Sequence, residues 1–318
     1  MRTYLDFEKP IAELESKIAD LEAISNDDSS TVSISEEIET LQKKAHEALT
    51  DIYAKLTPWQ KTQVARHPER PHCIDFINDL VTDFTALAGD RHFSEDSAII
   101  GGLGRIGECS IMLIGHEKGS DTQSRIKHNF GMARPEGYRK AVRLMQMAER
   151  FKLPVVTIVD TAGAYPGVGA EERGQAGAIA RSTDCCLSLG VPIISLVVGE
   201  GGSGGAIAIA TANRVLMLEH AIYTVASPEA AASILWRDSD RAIDAATNMK
   251  ITAQDLLEMK VIDGIIKEPI GGAHRDTKAT TKAAGEAIEI ALAEFSELTA
   301  DEICQHRQDR FLDIGRSL

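Results

Sequence analysis

Between Leu196 and His220 the chain reads LVVGEGGSGGAIAIATANRVLMLEH, with five glycines in the seven residues from Gly199 to Gly205. Glycine loses more backbone freedom on folding than any other residue, so such a run marks backbone that must approach something closely. A β-branched run precedes the loop, and a short helix of Ala and Ile follows it. A helix that begins at Gly204 or Gly205 carries no side chain over its first turn. Its free N–H groups and the positive end of its dipole then face whatever lies beyond the strand. With no Lys or Arg beside them, these donors suit a single oxygen gaining charge better than a polyphosphate, as in an oxyanion hole. A purely structural reading stays open: glycines that let helix and strand pack closely.

The segment PVVTIVDTAGAYPGVGAEERG, from Pro154 to Gly174, repeats the grammar. A Pro-led apolar strand ends in a glycine turn and feeds a helix. In a doubly wound sheet both turns emerge at the carboxyl ends of strands, where ligands bind. Familiar nucleotide motifs fail nearby. Gly199-x-Gly201-x-x-Gly204 fits the dinucleotide pattern, with Glu219 near the ribose offset, but so does Gly102-x-Gly104-x-x-Gly107, which precedes a strand. The helix after Gly205 is also short and apolar all round, unlike a dinucleotide-binding helix. No Gly-Lys-Ser/Thr closes either loop, so DTAG at Asp160–Gly163 stands without a phosphate loop. Ser203 sits in Gly-Gly-Ser-Gly-Gly rather than a nucleophile elbow and has no obvious base.

The elements that must hold these turns read as α/β. Apolar residues Ile11, Leu14, Ile18 and Leu21 fall at helical spacing, and Ile38, Leu41, Ala45, Leu49 and Ile52 continue a second stripe after the polar NDDSSTVSIS. Ser33 with Glu36 gives a capping-box start, and the pair of helices predicts an antiparallel hairpin. Ile74 to Leu87 reads as helix, and AIIGGLGRIGECSIMLIGHEKG as two strands about a glycine turn. PEGYRKAVRLMQMAERF is helical, as is AEERGQAGAIARSTDCCLSLG; RVLMLEH and AIYTVAS are strands, and helix resumes beyond Gly271. Alternating elements with nearly continuous apolar strands imply a largely parallel sheet buried on both faces. The expected organisation is a hairpin arm over 1–57, an α/β domain over 58–300 and a charged tail over 301–318.

At 318 residues the chain can build one large core or two smaller ones, since single cores stop growing near roughly 250–300 residues. No apolar run approaches a membrane span of about 18 residues, and MRTYLDFEKP lacks the apolar centre of a signal peptide. Cys73, Cys109, Cys185, Cys186 and Cys304 form an odd set without CxxC spacing, implying neither a disulfide framework nor a zinc site. A formal charge of −14 argues against general nucleic-acid or membrane-surface binding. A cytoplasmic protein is expected.

GHEKG, NFGMARPEGYRKAVRLMQMAERF, DTAGAYPGVGAEERGQ, GEGGSGGAIAI, SPEAAASILW and EPIGGAHR together resemble the carboxyltransferase α subunits of bacterial multisubunit acetyl-CoA carboxylases, from LDFEKPIAELE almost to the C-terminus. Ala162 stands where the family more usually has Pro, and Ala226, Ala230 and Ala231 soften its SPE-region pattern; all spare the glycines. The resemblance implies a crotonase-like fold, with flanking helices and an N-terminal helical hairpin. It also implies transfer of a carboxyl group from N-carboxybiotin to acetyl-CoA, giving malonyl-CoA. The biotin would ride on a biotin carboxyl carrier protein, and ATP would serve only a separate biotin carboxylase. A β subunit, with its own zinc ribbon, would supply the enolate hole in an α2β2 assembly, while this chain supplies the biotin hole and binds no metal.

On that resemblance the donors map to backbone N–H groups of Gly204 and Gly205, with Gly163 and Ala164 opposite. Candidate substrate contacts are Gly201, Gly202, Ser203, Tyr165, Lys118, Ser227, Arg134 and Arg139. Lys118 reads as a neutraliser of carboxylate or phosphate charge, or as a solvated turn lysine. Arg125, Lys127, Arg134, Arg139, Lys140 and Arg143 concentrate charge that either attracts CoA phosphates or forms a helix face with ordinary ion pairs. Ser227 reads as a helix cap. Glu171 and Glu172 read as first-turn acids, and His116 and His274 as structural. Two rivals remain. A crotonase-type hydratase or thioesterase needs a general acid/base where this helix has Ala206, Ile207 and Ala208. A non-catalytic scaffold subunit would leave two complete glycine turns unexplained.

Overall fold

The computed structural model describes residues 2–27 and 31–316. Helices α1 (Lys9–Asp27) and α2 (Thr31–Tyr53) pack side by side, and their apolar stripes meet, with Ile11, Ile18, Ala45 and Leu49 buried. Helix extends further into the polar connection than expected. The Ser33–Glu36 signal falls inside α2, and the Ser33 side chain lies outside the described residues. At its root the pair is fastened by charge: Arg275 reaches Glu15 at 2.6 Å and Glu8 at 3.5 Å, and the Tyr53 hydroxyl donates to Glu8 at 3.1 Å.

Helices α3 (Pro58–Ala65) and α4 (Cys73–Leu80) lead into strand β1 (Thr82–Ala86). Helix α3 starts where the sequence provides for it, with Pro58 in the first turn and Thr57 and Gln60 bonding reciprocally. The helix expected from Ile74 to Leu87 instead stops at Leu80. Pairing overrides it: Thr82 to Ala86 lie against β2 (Ile99–Ile106), where Gly102 leaves room for the Thr85 carbonyl. Strand β3 (Cys109–His116) completes an antiparallel trio, followed by α5 (Thr122–Lys127) and α6 (Pro135–Arg150).

Strand β4 (Val155–Thr161) is buried at every residue, as is β5 (Ile193–Gly202). Between them lie α7 (Val168–Glu172) and α8 (Gln175–Ser188), separated at Gly174, whose φ of 80° ends the single helix expected there. Next come α9 (Ser203–Ala210), β6 (Arg214–Leu218), β7 (Ile222–Thr224), α10 (Pro228–Trp236), α11 (Ala242–Asn248), α12 (Ala253–Glu258) and β8 (Gly264–Ile266). The sheet runs β1-β2-β3-β4-β5-β6-β8, parallel from β3 onward. Strand β5 changes partners along its length: Val197 opposes Met217 of β6, whereas Glu200 opposes Ile222 of β7. Against β4 the register shifts between Val159 and Thr161. There β5 bends away, and its last residues become the glycine loop. Among the described residues no helix is long and apolar enough to cross a membrane.

Helices α13 (Thr277–Ala293) and α14 (Ala300–Asp313) close the chain. The stretch set apart as a tail from 301 is thus helical through Asp313, and Ile303 and Arg307, one turn apart, are buried in it. Arg307 donates to the carbonyls of Cys186, Leu189 and Val191, each at 2.7 Å, and to Asn213 Oδ1 at 2.6 Å. These carbonyls belong to the end of α8 and its turn into β5, which lack regular N–H donors. Burial lowers the Arg307 pKa to about 10, which leaves it charged at neutral pH. Arg307→Met strands several buried acceptors at once and should cost about 3 kcal/mol or more. Urea denaturation of the purified chain measures this; an unchanged midpoint would remove Arg307 from the fold's main supports.

Candidate functional site

The two glycine turns lie against each other at the carboxyl ends of β4 and β5. A Cβ added to Gly202 would stand 2.2 Å from the Ala162 carbonyl oxygen, and one added to Gly205 would stand 2.7 Å from Gly163 C. A Cβ added to Gly199 would stand 2.4 Å from the Asp160 carboxylate, and one added to Gly201 would stand 2.8 Å from the Tyr223 ring. Gly204 differs, for its Cβ would meet only the Ile179 side chain at 3.5 Å, an ordinary contact. The packing reading therefore holds for most of the loop, while Gly204 is left open.

The N–H groups of Gly204 and Gly205 lie in the first turn of α9 and have no acceptor within their helix. Among the described residues the Ala164 N–H has no partner either. Gly163 is different. Its N–H donates to Thr161 Oγ1 at 3.1 Å, and that hydroxyl donates back to the Gly163 carbonyl at 2.7 Å. The threonine closes its own turn and occupies the donor, so three N–H groups remain free where four were expected. Ser203 is exposed, with a φ of 49° that glycine would adopt more easily, and no described side chain bonds its hydroxyl. Ser203, Gly204, Ile207, Tyr223 and Val225 border an apolar cavity of about 570 Å³.

A buried charge cluster stands behind the turns. The Lys118 ammonium pairs with Asp160 at 2.7 Å and Glu200 at 3.0 Å, while Arg66 holds Glu200 at 2.7 Å and Glu229 at 2.6 Å. Burial alone would lower the Lys118 pKa, but Asp160 and Glu200 raise it; Lys118 in turn holds both carboxylates ionised against their own burial. Lys118 thus neutralises carboxylates of the protein itself. His116 lies deep in the same region. Burial keeps it neutral, down to about 4, although Asp160 favours its charge.

The other expected residues divide. Ser227 Oγ accepts the Ala230 N–H at 3.1 Å and caps α10. Arg139 is spent on Asp90 and Glu136, both at 2.8 Å, and on the Arg173 carbonyl at 3.1 Å. Lys140 pairs with Glu95, and Arg143 caps the carbonyls of Leu87, Ala88 and Gly89. These three cations are engaged by the protein's own groups, and Lys140 is buried rather than on a solvated face. Tyr165 follows Ala164, with the Arg134 guanidinium 4.8 Å from its ring centre. Glu171 is exposed in the first turn of α7, whereas Glu172, also exposed, is the last residue of that helix, and neither enters these bonds. Asp160, Glu200 and Arg66 were not anticipated. Their signal was present, because an acid ending an uninterrupted apolar strand must find a cation. Among the described residues no His/Cys/Asp/Glu group could hold a metal ion.

A sequence profile described as "Acetyl co-enzyme A carboxylase carboxyltransferase-like" matches residues 4–315. An acetyl-coenzyme A carboxylase carboxyl transferase subunit alpha of Nitrobacter winogradskyi is 67% identical, over all of this chain and 98% of its own. The subunit of that name from Xanthobacter autotrophicus is 64% identical over the whole of both chains. In solved structures, the transcarboxylase 12S core aligns with a TM-score of 0.57 at 19% identity, over 70% of this chain and 41% of its own. A Pseudomonas malonate decarboxylase hetero-tetramer chain aligns at 0.55 and 19%, over 68% of this chain and 87% of its own. These likenesses give the fold, crotonase-like α/β. With its free backbone donors at paired glycine turns, the chain belongs to the family of acetyl-CoA carboxylase carboxyltransferase α subunits and is a transferase.

Proposed function

We propose that this chain forms the biotin-facing half of a carboxyltransferase, completed by a homologous β subunit in an α2β2 assembly. Its reaction is carboxyl transfer from N-carboxybiotin, borne by a biotin carboxyl carrier protein, to acetyl-CoA, giving malonyl-CoA in the cytoplasm. ATP enters only through a separate biotin carboxylase. We also read the chain as a hairpin arm over 1–57, a transferase domain over 58–300 and a terminal segment over 301–318.

One observation carries the reading: the N–H groups of Gly204, Gly205 and Ala164 are unpartnered on two turns that pack directly against each other. When bound, carboxybiotin supplies an activated carboxyl group and a ureido oxygen that gains charge. The chain's own part is to place fixed donors on that oxygen. Because they belong to backbone held by packing, they need no reorganisation as charge develops, and each is worth about 10²–10³ in rate. The apolar cavity beside Ser203 and Gly204 suits the body of a carrier group and excludes water. No base is assigned to this chain; released biotin takes the methyl proton. A hydratase reading finds Ala206, Ile207 and Ala208 where its acid/base would stand.

Alone, the chain should make no malonyl-CoA from carboxybiotin and acetyl-CoA, and should gain the activity with its β subunit. Product formed by the purified chain would overturn the division of labour. Elemental analysis should find no stoichiometric zinc; one zinc per chain would contradict the metal assignment. Within the assembled complex, Gly205→Ala should lower turnover by about 10² or more, since its methyl group would displace the Gly163–Ala164 backbone. Gly204→Ala and Ser203→Ala should stay within about tenfold, a loss of no more than roughly 1.4 kcal/mol. Gel filtration confirms assembly first. Normal turnover in Gly205→Ala, with loss in Ser203→Ala, would mark a nucleophile instead.

A further inference from the structure

The strand of basic residues from Arg125 to Arg143 contains six cations, and their partners differ sharply. Arg139, Lys140 and Arg143 are bound to carboxylates or carbonyls, and Arg125 donates to the Gly119 carbonyl at 3.3 Å. Lys127 is exposed. Arg134 is half-buried, yet its guanidinium has no hydrogen bond or ion pair; its partner is the face of Tyr165. Asp96 feels its charge but accepts only the backbone N–H groups of Ala98 and Arg134, and a partly desolvated guanidinium with unused donors is costly unless a ligand completes it.

The surrounding structure is committed to holding this pair still. The Arg134 N–H donates to buried Asp96 at 2.7 Å, and the Tyr165 N–H donates to the Ala133 carbonyl at 3.0 Å. Buried Gln175 bridges the two segments, donating to the carbonyls of Ala133 and Tyr165, both at 2.9 Å. Gly167 lets the Tyr165 ring lie flat, since a Cβ there would stand 2.2 Å from the ring edge. The result is a guanidinium held over the ring of Tyr165, its N–H groups unused, on the residue that follows the free N–H of Ala164. A planar fork of N–H donors matches a carboxylate in a way that a lysine does not.

We infer that Arg134, oriented by Tyr165, recognises the transferable carboxylate of the carboxylated carrier group next to the Ala164 donor. This rests on the carboxyltransferase reading above. It also replaces the expectation that Arg134 and Arg139 attract CoA phosphates. Arg139 has no free donor edge, and Arg134 stands beside the turn assigned to biotin.

The experiment uses the assembled complex with its β subunit. Affinity for N-carboxybiotin methyl ester and for biotin methyl ester is measured by calorimetry without CoA ester, and KM for each substrate by kinetics. Arg134→Ala and Arg134→Gln should weaken carboxybiotin by about 10–100-fold, the usual worth of a charge-assisted fork. Affinity for uncarboxylated biotin and KM for acetyl-CoA should stay within about twofold, because neither offers that carboxylate to Arg134. Arg134→Lys should recover little, and free guanidinium ion should partly rescue Arg134→Ala. Equal weakening of both biotin ligands would make Arg134 a merely structural residue. A rise confined to KM for acetyl-CoA would restore the phosphate role, and unchanged constants would also overturn the proposal. If the wild-type complex itself neither binds nor consumes carboxybiotin, the carboxyltransferase reading fails instead.

Discussion

Where β5 leaves β6 and bends toward β7, its backbone loses sheet partners, and buried charged side chains take them over. The Val198 carbonyl accepts from Arg70 at 2.7 Å, and the Glu200 N–H donates to Asp160 at 2.8 Å. Arg70 is itself held by Glu268 at 2.8 Å, and Asp160 by Lys118 at 2.7 Å. An unsatisfied backbone group at this depth would cost as much as a lost hydrogen bond, so the bend exists only because these side chains are present. Every later feature of the site follows from it. The bend brings the two glycine turns together and sets the first turn of α9 at the carboxyl end of β5.

A site made of backbone donors changes what the sequence must conserve physically. Only proline removes such a donor, whereas any side chain can change the space around it. Gly202 and Gly205 set how closely one turn approaches the other, and Thr161 decides which N–H of the second turn is already taken. The ionic cluster stays out of this contact and fixes the strand ends from behind. Its two cations, Lys118 and Arg66, are shared among the carboxylates of Asp160, Glu200 and Glu229, which makes the cluster an anchor for the loop.

The periphery uses the same device at a larger scale. Arg307 ties α14 to the turn before β5, Arg70 ties the segment after α3 to the bend, and Arg275 ties the helical pair to the body. Each guanidinium spans elements far apart in sequence through several donors at once, a geometry that lysine could not reproduce. The frame around the transferase site is thereby cross-linked without disulfides; all the cysteines are free.

The alternation of apolar strands and helices, the hairpin stripe and the two glycine turns were legible because each is a local pattern: periodicity, capping and turn chemistry act over a few residues. So was the absence of a titratable group between Ala206 and Ile209. Local pattern misplaced Thr82–Ala86, where pairing with β2 outweighed helical spacing, and it could not foresee that 300–313 folds as a buried-edged helix. The resemblance implied Gly163 as a donor and left Arg139 between ligand and helix face, because the sequence does not say which hydrogen bonds are already made. Glu200 and Asp160 lie 40 residues apart, and Arg66 and Glu229 lie 163 apart. Glycine composition determined that close approach would occur; tertiary structure alone decided what each glycine meets, since that depends on which distant backbone or charge the fold carries to its side.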